Sequence, residues 1–220
     1  ALAVAIPSAA LAEDKPQPYT LAAMGCMKLG DCTEGVVQVS SVDDLKAMFG
    51  EDWVYNYDNE AAFYQELNAI LDRLNEIGIK VYVADGENFP RTHRGSYYTD
   101  TNAFYLNKSW VDSPEVFMKV LRHEGWHAAQ DCMAGTIDNT LIAVIFNEDL
   151  IPDRWKLDAE VRYGIMMPNA IPWEQEAIWA ANEPNMTADA LNACATGAMW
   201  NEYSPTPMTR EWLESEGYIK

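Results

Sequence analysis

The pentapeptide His123-Glu124-Gly125-Trp126-His127 constrains this chain more than any other stretch. Two histidines four residues apart share a face only on an α-helix. Both imidazoles then reach one point in space, where a metal ion can be their common partner, and the glutamate beside the first of them can act on a water held there. The competing reading is two ordinary histidines with no metal. That reading must find separate partners for two imidazoles and a carboxylate on a half-buried helix, which is costly. The whole chain holds three histidines, so the pattern is not a by-product of composition.

The flanking residues predict the helix. Ser113-Pro114-Glu115 combines an N-cap serine, a first-turn proline and a first-turn acid. Apolar residues recur at Val116, Phe117, Val120, Leu121, Ala128 and Ala129, and Gly135 supplies a stop. Upstream, 36–39 reads as a strand, 42–49 as a helix and 60–77 as an amphipathic helix closed by Gly78. Residues 79–84 alternate as a strand, and 97–106 read as a further strand or hairpin. Beyond Gly135 the chain reads as helices at 138–147, 153–165, 172–182, 188–200 and 209–216, punctuated by prolines. The expected fold is therefore α+β and mostly helical. A small sheet packs on the motif helix, and a helical C-terminal part follows, all within one domain spanning 13–220.

The 220 residues carry 34 acidic against 15 basic side chains, a net charge of −19. Phosphate recognition needs clustered Lys and Arg, so nucleic acid is not an expected partner. An anionic membrane surface is not an expected partner either, on the same ground. The first twelve residues, ALAVAIPSAALA, give way abruptly to EDKPQP. They read as the apolar remnant of a secretory signal ending in the small-residue site Ala10-Leu11-Ala12. The run is too short to span a bilayer, and no membrane insertion of the mature chain is expected. The expected location is exported, either periplasmic or extracellular.

Export gives the cysteines their meaning. Four of them, Cys26, Cys32, Cys132 and Cys194, predict two disulfides, with three pairings possible. Cys26 and Cys32 bracket a short glycine-containing loop and are expected to pair, which leaves Cys132 with Cys194. No C-x-x-C pair occurs, so the thiols are not read as metal ligands.

A catalytic zinc takes three protein ligands and keeps one position open. The metzincin continuation needs a glycine and then a histidine after the motif; those positions hold Gln130 and Met133. His93 sits in a Thr-Arg-Gly setting and reads as a solvated loop residue. The helix predicted at 172–182 offers two acids, Glu174 and Glu176. Residues two apart on a helix differ by about 200° of rotation, so only one of them can face a shared ion.

With that second helix, the chain resembles the gluzincin-like zinc metallopeptidases. The resemblance covers the strand near 103–106, the motif helix and residues 172–181. It implies one zinc per chain held by His123, His127 and a downstream glutamate, with Glu124 as general base and a peptide or protein as substrate. In such families a small residue often follows the ligand glutamate by three positions. Glu174 has Ala177 there and Glu176 has Trp179, so the resemblance favours Glu174. One departure stands out. Several such families carry Asp or Asn four residues after the ligand to hold a ligand histidine from behind. Here that position is Ile178, which turns attention to Asp131, Asp138 and Asn139. Tyr97, Tyr98, Tyr163 and Tyr203 are candidates for a phenol assisting an oxyanion. The rival readings are a non-catalytic exported domain that binds a metal or a partner, and a hydrolase of a non-peptide amide.

Overall fold

In the computed structural model, residues 21–54, 59–89, 93–135, 137–138, 140–203 and 215 are described. The predicted leader at 1–12 lies outside them, as does nearly all of the helix predicted at 209–216. The architecture is α+β and mostly helical. Helix α1 (Leu21–Leu29) leads into strand β1 (Val36–Val39), α2 (Val42–Phe49) and the long α3 (Glu60–Ile77). Strands β2 (Lys80–Ala84), β3 (Gly95–Tyr98) and β4 (Ala103–Asn107) precede the motif helix α4 (Pro114–Met133). Helices α5 (Asp153–Tyr163), α6 (Ile171–Asn182), α7 (Met186–Ala195) and the short α8 (Met199–Glu202) complete the described chain.

The four strands run in the order β1-β2-β4-β3. The central pair β2–β4 is parallel, and both edge strands are antiparallel to their neighbours. Period-two alternation sends successive side chains to opposite faces. Val81, Val83, Phe104 and Leu106 join the main core with the helices. Tyr82, Ala84, Ala103 and Tyr105 turn the other way, into a smaller cluster with Met27 of α1. Residues 97–106 resolve as a hairpin rather than one strand, and Asn102 takes a left-handed φ of 49° in its turn.

Local sequence explains the helix ends. Ser41 and Asp44 form a reciprocal capping box at the start of α2. Gly78 closes α3 with φ 86°, ψ 14°, the left-handed conformation that glycine adopts without penalty. Ser113 accepts from the Val116 amide at the start of α4. Helix α4 then runs through the interior, packed against α6, α7, β3 and β4.

Three sequence expectations need correction. Residues 141–147 do not form a helix, because their amides find partners elsewhere: Ala143 N donates to the Gln130 carbonyl, and Ile145 N and Phe146 N donate to the Glu176 carboxylate. The helix expected over 188–200 is two, broken where Gly197 takes φ 71°. Helix α1, where the sequence suggested only a cysteine loop, was not anticipated. No helix among the described residues is long and apolar enough to cross a membrane.

Both expected disulfides are present, Cys26–Cys32 and Cys132–Cys194. They point to an oxidising compartment. The second joins the end of α4 to α7 across 62 residues, whereas the first closes a separation of six. In the chain-entropy account, closing the larger loop contributes about 4 kcal/mol and the smaller about 2. A C132A/C194A double variant is therefore expected to lose more unfolding free energy in urea than C26A/C32A. Equal losses would mean that loop entropy does not govern either bridge.

Candidate metal centre

Helix α4 and the first turns of α6 meet at His123, His127 and Glu174. One ligand atom from each lies within 4.8 Å of the other two. His123 Nε2 stands 3.3 Å from Glu174 Oε2, and His127 Nε2 stands 3.6 Å from Glu174 Oε1. The side chains are 18, 11 and 13 % exposed, so the cluster is largely dehydrated.

These residues fit a cation. Glu174 Oε2 is buried and makes no hydrogen bond. Two lone-pair atoms facing each other across such distances need a proton or a cation between them. Burial pulls the His123 imidazole down, but the Glu174 carboxylate outweighs it and the pKa ends above the ordinary value. For His127 burial prevails, and its pKa falls. One proton on His123 would thus leave His127 Nε2 and Glu174 Oε1 facing each other. Glu174 itself is held down to about 2: burial pushes it up, but His127 and His123 more than reverse that. A carboxylate that stays ionised beside two imidazoles is a ready set of metal donors.

Glu124 lies one residue along the helix and is 5 % exposed. Burial raises its carboxyl to about 7, against the opposing pull of His123 and with a further push from Glu174. Edge strand β3 passes directly over it. A Cβ added at Gly95 would stand 2.5 Å from Glu124 Oε1.

Glu176 does not join the cluster. It is completely buried and faces α4, where it accepts from Gln130 Nε2 at 2.8 Å and Trp126 Nε1 at 3.2 Å. The amides of Ile145 (2.9 Å) and Phe146 (2.6 Å) complete its shell. Burial raises its carboxyl to about 7 despite these donors.

The partner of His127 is Gln130, whose Oε1 lies 2.8 Å from Nδ1. Neither Asp131 nor Asp138 takes that part. Asp131 accepts the Tyr97 hydroxyl at 2.6 Å, a contact that ties α4 to β3. Asp138 lies in the loop after α4 and acts on Asp131 through its charge, and Asn139 is outside the described residues. The sequence did contain a signal for Gln130, since a residue three positions on lies within reach on the same helix face.

Among the four tyrosines, Tyr163 lies within the field of Glu174, and its hydroxyl is pushed up by burial and by that carboxylate. Tyr98 is raised by burial and also feels the charge of Glu124. Tyr97 is committed to Asp131, and Tyr203 packs edge-on against Phe146. His93 is exposed, and its carbonyl accepts from Asn107, away from the cluster.

No protein family, curated protein or solved structure matches the chain. The residues and their geometry must therefore carry the functional argument. If Glu174 is a ligand, E174A should weaken divalent-metal affinity by more than the roughly 10- to 100-fold that outer hydrogen-bond partners contribute. Competition with a chromophoric chelator measures it. Unchanged affinity in E174A would remove Glu174 from the ligand set.

Proposed function

We propose that the protein is an exported zinc-dependent hydrolase that cleaves peptide bonds. The convergence of His123, His127 and Glu174, with Glu124 beside them, carries this reading. Two imidazoles and one carboxylate make the donor set of catalytic zinc sites that keep a fourth position open. A divalent cation held there would supply Lewis acidity, polarising a carbonyl and acidifying an attacking water.

The rest of the chemistry belongs to the chain. Glu124 takes the proton of the attacking water and returns it to the leaving amine. Burial raises its carboxyl to about 7 in the metal-free site, and a cation held beside it would draw that value down toward the ionised form that accepts a proton. Burial keeps bulk water from competing for that proton. Tyr163, whose hydroxyl feels the charge of Glu174, is the phenol this reading assigns to donate to an oxyanion that develops beside the cluster. The two disulfides and the apolar leader support work outside the cytoplasm.

Casein or a mixed peptide library, incubated with and without a chelator, tests the reading. Hydrolysis should stop on chelation and return with zinc. E124Q should bind zinc like the wild type and turn over at least about 100-fold more slowly, the weight of general-base catalysis. Stoichiometric zinc without hydrolysis of any peptide would instead support a non-catalytic metal-binding protein.

A further inference from the structure

The hydrogen bonds around Gln130 leave its amide one orientation. Gln130 Nε2 lies 3.1 Å from the Trp173 carbonyl, which can only accept, and 2.8 Å from Glu176 Oε2. Both amide protons are thereby used. The remaining atom, Oε1, is turned toward His127 Nδ1 at 2.8 Å. An amide oxygen only accepts, so Nδ1 must carry the proton. A neutral imidazole has a single N–H, which leaves Nε2 with a free lone pair on the side where Glu174 stands.

Glu176 gives this arrangement its rigidity. Trp126 Nε1 and the amides of Ile145 and Phe146 fix its carboxylate, and the fixed carboxylate in turn fixes the Gln130 amide. The same contacts register the two ligand-bearing helices. Trp173 and Glu176 bracket Glu174 on α6, and both are bonded to Gln130 on α4.

We propose that Gln130, aimed by Glu176, is a positioning residue that holds His127 in its Nδ1–H tautomer and so presents Nε2 as a metal donor. The functional consequence rests on the metal reading of the site. The tautomer itself is a property of the metal-free protein and can be read without metal or activity.

The experiment uses metal-free protein labelled with 15N-histidine. Three histidines give three ring systems, and a long-range 1H–15N correlation above their titration range separates protonated from unprotonated ring nitrogens. His127 should be Nδ1–H in the wild type. In Q130M, which keeps the volume and loses the acceptor, His127 should move to the Nε2–H form or to an exchanging mixture. Zinc affinity of Q130M should fall about 10- to 100-fold, the usual effect of losing a ligand's outer partner. E176Q, which turns an amide NH2 toward existing donors, should shift the tautomer in the same direction. An Nε2–H wild type would overturn the proposal, as would an unchanged Nδ1–H form in folded Q130M. Should Q130M not fold, the wild-type tautomer alone decides. Nδ1–H in a protein that binds no zinc would defeat the metal reading and leave the relay standing. Zinc binding by a protein whose free His127 is Nε2–H would do the reverse.

Discussion

A carboxylate removed from water must be surrounded by donors, and the interior around helix α4 is organised by that requirement at Glu176. Isolated, such a group would cost several kcal/mol. Here its donors come from two separate parts of the chain, the motif helix and the 145–146 segment. Each donor group is thereby held at a fixed place relative to α6. The motif helix is indexed against the helix that bears Glu174, and the extended segment after α4 is drawn in to close the shell. Trp126, inside the pentapeptide yet directed away from the imidazoles, belongs to this shell and not to the cluster of His123, His127 and Glu174.

A buried ion pair supports α4 from another side. Arg122 makes a bidentate contact with Glu66 of α3, at 2.8 and 2.6 Å. Glu66 also accepts the Asn185 amide, at a left-handed residue just before α7. Thr187 of α7 donates to the Arg122 carbonyl. Neighbouring helix positions point about 100° apart, so Arg122 and His123 address different partners from adjacent residues. Removing one member of such a pair leaves a buried charge without its counterpart, which costs about 3–5 kcal/mol. Together with the Cys132–Cys194 bridge, these ties make α4 a rigid mount for two imidazoles.

The legibility of the sequence followed the range of the interactions. Helix α4 was readable because its cap, its first-turn proline and its apolar spacing are all local. Helix α3 and strand β2 were readable for the same reason. The cluster of His123, His127 and Glu174 was accessible through helical rotation, which separates Glu174 from Glu176, and through the resemblance that favoured Glu174. The spacing of Gln130 from His127 is local, but the orientation of its amide was hidden because it depends on contacts with residues 43 and 46 positions away. Residues 141–147, LIAVIFN, have the composition of a buried helix. Their amides are claimed by Gln130 and Glu176, and nothing local announces that. The break at Gly197 was overlooked because a single glycine is tolerated inside many helices.

Gly95 leaves Glu124 almost no spare room. An alanine there would place its methyl carbon 2.5 Å from one carboxylate oxygen and 2.9 Å from two further atoms of the side chain. The three nearest atoms all belong to the Glu124 side chain. The glutamate, with rotatable bonds along its length, would be the part to turn aside. Position 95 therefore bears on the buried acid beside His123 more directly than on any other group. A side chain added to this edge strand would be felt first in the aim of that carboxylate.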